Sequence, residues 1–102
     1  MILSRLNVAL ADGFTSSTTF RTADPLDKLD VLVRNADALC ELEVAGAWRD
    51  GFQLARGVGI SRPGLSELYK REGGIRAIRF RNLTAGQAAT LSFLDLYYGV
   101  GQ

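Results

Sequence analysis

The chain has 102 residues, 47% of them hydrophobic and 23% charged, a length and balance that fit one folded domain with a modest core. A formal net charge of +1 gives no global field toward nucleic acid or membrane. The absence of histidine removes the commonest general base, the commonest zinc ligand and the His-dependent triads, and a single cysteine, Cys40, excludes an internal disulfide.

The first element is expected over residues 2–11. Leu6, Val8 and Leu10 alternate with Arg5, Asn7 and Ala9 as in a strand, although Ile2, Leu6, Ala9 and Leu10 also fit one helical face. The hairpin-type signal Asp12-Gly13 directly afterwards favours the strand. Arg5 and Asn7 interrupt the apolar run, so this is not expected to be a signal peptide. No stretch reaches membrane-spanning length, and a soluble chain made in the cytoplasm is expected. Phe14 to Thr22, rich in threonine, reads as a loop leading into a short exposed edge strand, and Asp24-Pro25 is a break.

Lys28 to Arg34 reads as a strand with Leu29, Val31 and Val33 facing in. Asn35-Ala36-Asp37 makes a turn, and Ala38 to Ala45 follows as the hairpin partner. There Ala38, Cys40, Leu42 and Val44 face in while Glu41 and Glu43 face out. Cys40 is therefore expected as a buried, inert thiol. After Gly46, Trp48 and Phe52 flank a turn signal at Arg49-Asp50-Gly51, and Trp48 is expected as a core anchor or a lid over one open end. Residues 57–64 read as a flexible loop. Leu65, Leu68 and Tyr69 fit one short helix near 64–72 stopped by Gly73, with a strand carrying Leu65, Glu67 and Tyr69 as the alternative.

Residues 75–93 read as two strands around a turn at Asn82 to Gly86. Ile78 and Phe80 oppose Arg79 and Arg81, and Leu91 and Phe93 oppose Thr90 and Ser92. Beyond Phe93 the pattern breaks. Asp95 falls on the face of Leu91 and Phe93, and Leu94, Leu96 and Tyr98 fall on the other. Either a bulge near Phe93 swaps the faces, or the strand is apolar on both sides and a partner covers the outer one. The sum is an all-β chain: about seven short strands in an antiparallel β-sandwich or small jelly-roll-like barrel, with residues 1–102 as a single domain.

No stretch names a reaction. Glu41 and Glu43 lie roughly 7 Å apart on one strand face, a spacing that two working carboxylates can use, but a solvated face is the plainer reading. Asp24, Asp27 and Asp30 lack the glycine and bidentate glutamate of a calcium loop. Gly57-Val58-Gly59 lacks the third glycine of a dinucleotide fingerprint, residue 62 being arginine. No catalytic residue, cofactor or metal ligand is assigned, and no enzyme is expected.

Ten of the twelve basic residues are arginine, which suits interfaces, and the densest cluster is Lys70, Arg71, Arg76, Arg79 and Arg81. Phe80 points to the core, leaving no aromatic ring between Arg79 and Arg81 to stack on bases, so carboxylates of a neighbouring subunit are expected as partners rather than nucleic acid. The expected interface residues are Leu94, Leu96, Tyr98, Arg79 and Arg81.

Two stretches share a cadence of strand, Arg-Asn, turn, small residues and strand. They are Val31-Leu32-Val33-Arg34-Asn35 running on to Leu42-Glu43-Val44, and Ile75 to Asn82 running on to Ala88 to Phe93. This cadence, over residues 28–98, resembles small β-sandwich structural proteins of tailed bacteriophages. The resemblance implies a virion component: a capsid decoration or accessory protein, or a tail module, assembling with itself and with other virion proteins. The alternative is a glycan- or receptor-binding adhesion module using Trp48, Tyr97 or Tyr98 as stacking platforms. Glycan binding requires exposed aromatics in a groove, whereas assembly requires apolar residues on an outer strand face.

Overall fold

A computed structural model describes residues 1–11 and 19–99. The Asp12-Gly13 turn, most of the Phe14–Thr22 loop and Gly101 lie outside the described residues. Eight strands follow in order: β1 Ile2–Leu10, β2 Phe20–Arg21, β3 Leu26–Arg34, β4 Ala38–Val44, β5 Ala47–Leu54, β6 Gly59–Arg62, β7 Ile75–Asn82 and β8 Ala89–Tyr98. They form two four-stranded antiparallel sheets packed as a sandwich, a front sheet β1-β8-β3-β6 and a back sheet β2-β7-β4-β5. In place of one short helix near 64–72, two 3-10 turns, Leu65–Glu67 and Lys70–Glu72, are separated at Tyr69 (φ +57°) and closed by Gly73 (φ +97°). Gly74 follows at φ +80°, where a Cβ would stand 2.7 Å from the Pro25 ring, so this link needs glycine on two counts.

Both expected hairpins are crossings between sheets. β3 pairs with β6 and β8, and β4 pairs with β5 and β7. β7 lies in the back sheet and β8 in the front sheet. The links show why. Ala36, in the middle of the first, is itself buried, so the turn crosses the end of the core rather than folding back in the plane of one sheet. Among the described residues, one link between consecutive strands is a tight hairpin, β4 to β5. Its two connecting residues, Ala45 (φ +52°) and Gly46 (φ +79°), both take the left-handed backbone that a two-residue hairpin turn demands.

The core lies between the sheets. Leu29, Val31, Val33, Cys40, Leu42, Val44, Ile78, Phe80 and Leu91 are buried there, as their alternation predicts. Phe93 is the exception. Pairing of β8 with β3 steps from Val33↔Leu91 to Leu32↔Phe93, and pairing with β1 steps from Val8↔Leu91 to Leu6↔Phe93. Ser92 is thus the extra residue against β3, and it faces Asn7, whose φ is +52°. This bulge exchanges the faces of the strand. Phe93 turns outward, and Leu94 and Leu96 turn inward to 0% exposure. The expectation that Leu94 and Leu96 form an exposed interface is corrected accordingly. Tyr98 is half-buried opposite Leu26 at the end of the strand.

Three further expectations change. Arg49-Asp50-Gly51 is not a turn but the middle of β5. Its partner β4 steps from Cys40↔Phe52 to Glu41↔Asp50, leaving Gly51 as the extra residue, where a Cβ would fall 2.7 Å from the Cys40 carbonyl oxygen. Residues 59–62 within the expected loop form β6, pairing Leu32↔Gly59 through Leu29↔Arg62. Trp48 is no core anchor. It lies across from Glu43, half-buried on the outer face of the back sheet.

Candidate functional site

The sandwich offers two outer faces of opposite character. The outer face of the back sheet is built by alternation on its strands. β7 presents Arg79 and Arg81, β4 presents Glu41 and Glu43, β5 presents Trp48 and Asp50, and β2 presents Arg21. Register then fixes the pairs. Arg79 stands across from Glu41, and Arg79 Nε donates to Glu41 Oε1 at 2.9 Å. Arg21 grips Glu43 with both terminal guanidinium nitrogens, Nη1 and Nη2 donating at 2.6 and 3.0 Å. The hydrogen bond from Arg21 holds the Glu43 carboxyl below the usual carboxylate range, helped by the positive charges of Arg21 and Arg79 and opposed by partial desolvation. The Arg79 guanidinium also lies 4.0 Å over the Trp48 ring. Arg81 Nη2 sits 4.0 Å from Asp50 Oδ1.

These arginines are therefore matched by carboxylates of their own chain. Glu41 and Glu43 are engaged in the same ladder. Beneath it, Cys40 faces the core, where desolvation, reinforced by the charge of Glu41, pushes its thiol well above the ordinary range and keeps it protonated and inert.

The outer face of the front sheet is different. Cross-strand register lines up Leu6, Phe93 and Leu32 in one row across β1, β8 and β3, and puts Ile2 beside Tyr97 two rungs away. Leu6 is 75% exposed and Ile2 51%. Between these rows, Asp95 pairs with Asp30, so two carboxylates face each other across β8 and β3. Lys28 Nζ lies 3.7 Å from Asp30 Oδ2 and 5.1 Å over the Tyr97 ring. Asp30 Oδ1 is buried without a hydrogen-bond partner among the described residues. Beside it, Asp30, Gly59, Ile60, Ser61, Phe93 and Asp95 line a depression of about 270 Å³. The row ends at β1, an edge strand of nine residues.

Of the five residues expected at an interface, the structure brings Arg79 and Arg81 together on the back face and places Leu94 and Leu96 in the core. The residues that alternation missed are Leu6, Leu32 and Phe93. The signal for Phe93 was the parity break between Phe93 and Asp95, which the bulge resolves. The three candidate stacking rings do not share a groove: Trp48 is on the back face under Arg79, Tyr97 is on the front face against Lys28, and Tyr98 is opposite Leu26. Compared with family models, with curated proteins and with solved structures, the chain shows no match.

Proposed function

We propose that this chain is a structural component of a phage particle, a capsid decoration or accessory protein that acts by protein–protein assembly and whose nearest partner is a second copy of itself. The single observation that carries the reading is the contrast between the two outer faces. The back face pairs Arg21, Arg79 and Arg81 with carboxylates of its own chain, while the front face leaves Ile2 and Leu6 exposed in rows that run to β1, an edge strand among the described residues.

Edge strands expose a ladder of unpaired backbone donors and acceptors, and natural proteins blunt them with charge or proline. β1 has no proline, and Arg5 is its one charged residue. Two copies of β1 pairing antiparallel about a two-fold axis extend the front sheet and join the two apolar rows, an isologous contact. Burying Leu6 and Ile2 contributes roughly 1.5–3 kcal/mol per side chain before association costs. The Asp30 and Asp95 carboxylates beside the row accept a basic group of a further virion protein. The engagement of Glu41 and Glu43 by Arg79 and Arg21 favours binding over carboxylate catalysis, and the separation of Trp48 from Tyr97 favours assembly over aromatic stacking on a glycan.

A photo-reactive side chain placed at position 6 tests this reading. It is expected to cross-link to β1 of a second copy, while the same group at Gln53 on the back face gives no such product. Equal yields at the two positions, or none at position 6, contradict it.

A further inference from the structure

One end of the sandwich gathers three of the crossings between sheets: Asn35 to Asp37, Ala55 to Val58, and Leu83 to Ala88. They are locked to one another by hydrogen bonds. Asp37 Oδ1 accepts from the Arg56 backbone N–H at 2.8 Å, and its carbonyl accepts from Leu83 N–H at 3.0 Å. Gly57 N–H donates to the Val33 carbonyl at 2.8 Å. Asn82, fully buried, staples the third loop at both ends: its Oδ1 accepts from Thr84 N–H and its Nδ2 donates to the Gln87 carbonyl, each at 2.7 Å.

This rigid frame holds two adjoining clefts of about 360 and 460 Å³ that share Asn35, Arg56 and Gln87. Ala36, Asp37 and Thr84 complete the first, and Arg34 and Gly57 the second. The guanidiniums of Arg34 and Arg56 make no ion pair or hydrogen bond among the described residues, unlike Arg21, Arg79 and Arg81 on the back face. Two unpaired guanidinium forks on a pre-organised polar frame are not needed for folding. They are what recognition of an anion needs.

We propose that this cleft is a binding site for an acidic saccharide, a sugar carrying a carboxylate. The forks of Arg34 and Arg56 match a planar carboxylate. The amides of Asn35 and Gln87 and the hydroxyl of Thr84 supply donors and acceptors for sugar hydroxyls, and the Asp37 carboxylate adds a further acceptor. Asp37 also sets the charge of the ligand. It lowers the net charge of the lining to +1, which neutralises a monoanion rich in hydroxyls and leaves one charge of a phosphate dianion uncompensated. The clefts have the volume of sugar rings rather than of a bare anion. No aromatic ring lines them, so recognition rests on charge and hydrogen bonds. Arg34 lies two residues along β3 from Leu32 of the front-face row, whereas Ile2 and Leu6 lie on β1 with β8 between, so the site uses none of the side chains proposed for self-association.

The test is titration of the full chain, followed by calorimetry or amide chemical shifts, with a glucuronic-acid disaccharide, with its neutral glucose counterpart and with inorganic phosphate. The uronate is expected to bind, shifting amides of residues 34–37, 55–57 and 84–87, and the neutral sugar is not. Arg34→Ala and Arg56→Ala are each expected to weaken uronate binding at least tenfold. Arg56→Lys, which keeps the charge and loses the fork, is expected to fall between. Both arginines are exposed, so the melting temperature is expected to stay put and confirms that the variants are folded. Absence of uronate binding, binding unchanged in the folded Arg34→Ala, Arg56→Ala double variant, or phosphate binding as tight as the uronate overturns the proposal.

Discussion

Single residues on the back face show how pairing substitutes for burial. Arg21 is largely exposed, and exposed ion pairs contribute little because water and salt screen them. Its hydrogen bond to Glu43 still leaves a pH signature. A carboxyl held low in the folded state contributes stability that is present above its unfolded value of about 4.3 and lost as pH falls through the folded value. The melting-temperature gap between the parent and Glu43→Gln is therefore expected to be steady from neutral pH down to about pH 5. It should close at more acid pH and shrink with added salt. A gap that widens toward acid contradicts the pairing.

Arg79 is more consequential. It bonds a nearly buried Glu41 and covers Trp48. Hydrogen bonds to charged groups contribute roughly 1.5–3 kcal/mol, so Arg79→Ala is expected to destabilise by about that much in a denaturant titration. Arg81→Ala, whose ion pair is long at 4.0 Å, is expected to cost less. The opposite order would mean that the short Arg79–Glu41 contact is not the stabilising one.

At the scale of elements, the sequence carried the faces of strands well and their neighbours poorly. The alternation of Leu29, Val31 and Val33 and of Cys40, Leu42 and Val44 marks a dry side, and those sides are buried. Both sheets present dry sides to one core, however, so alternation cannot say whether two consecutive strands share a sheet or face each other. That choice is made by the links. Ala45-Gly46 turns back in one sheet through two left-handed residues, and Asn35 to Asp37 crosses over with Ala36 buried. β6 escaped notice because a four-residue strand offers too few alternations, with Ile60 its one partly buried residue. The end cleft was invisible in sequence because its lining comes from three separated loops.

The bulge at Ser92 is the element on which the proposed assembly surface depends, since one extra residue decides which of Phe93 and Leu94 is buried. Leu94→Ala is expected to cost about 2–5 kcal/mol in a denaturant titration, as a buried leucine does. Phe93→Ala, outside the core cluster, is expected to cost clearly less despite the larger side chain removed. The reverse order would place Phe93 inside and remove it from the front-face row.

For the whole molecule, one sandwich presents three surfaces of different character: a charge-matched back, a front with exposed apolar residues running to β1, an edge strand among the described residues, and a polar cleft at the end where crossings meet. This division explains how a chain with a net charge of only +1 holds a dozen basic residues without a basic face, since Arg21, Arg79 and Arg81 are opposed by carboxylates of their own chain. It also separates the proposed assembly surface from the core. Leu6 and Ile2 lie outside the core, so a change there is expected to alter association and leave folding intact.

The most direct measurement is sedimentation equilibrium of the purified chain and of its Ile2→Asp, Leu6→Asp variant over a range of concentrations, with a thermal melt of each. The account predicts that the parent reaches at least twice the chain mass. It predicts that the variant, melting like the parent, stays at the chain mass. A parent that remains at the chain mass at all concentrations, or a folded variant that assembles as the parent does, contradicts the claim that the front face and its β1 edge are where this protein joins its copies.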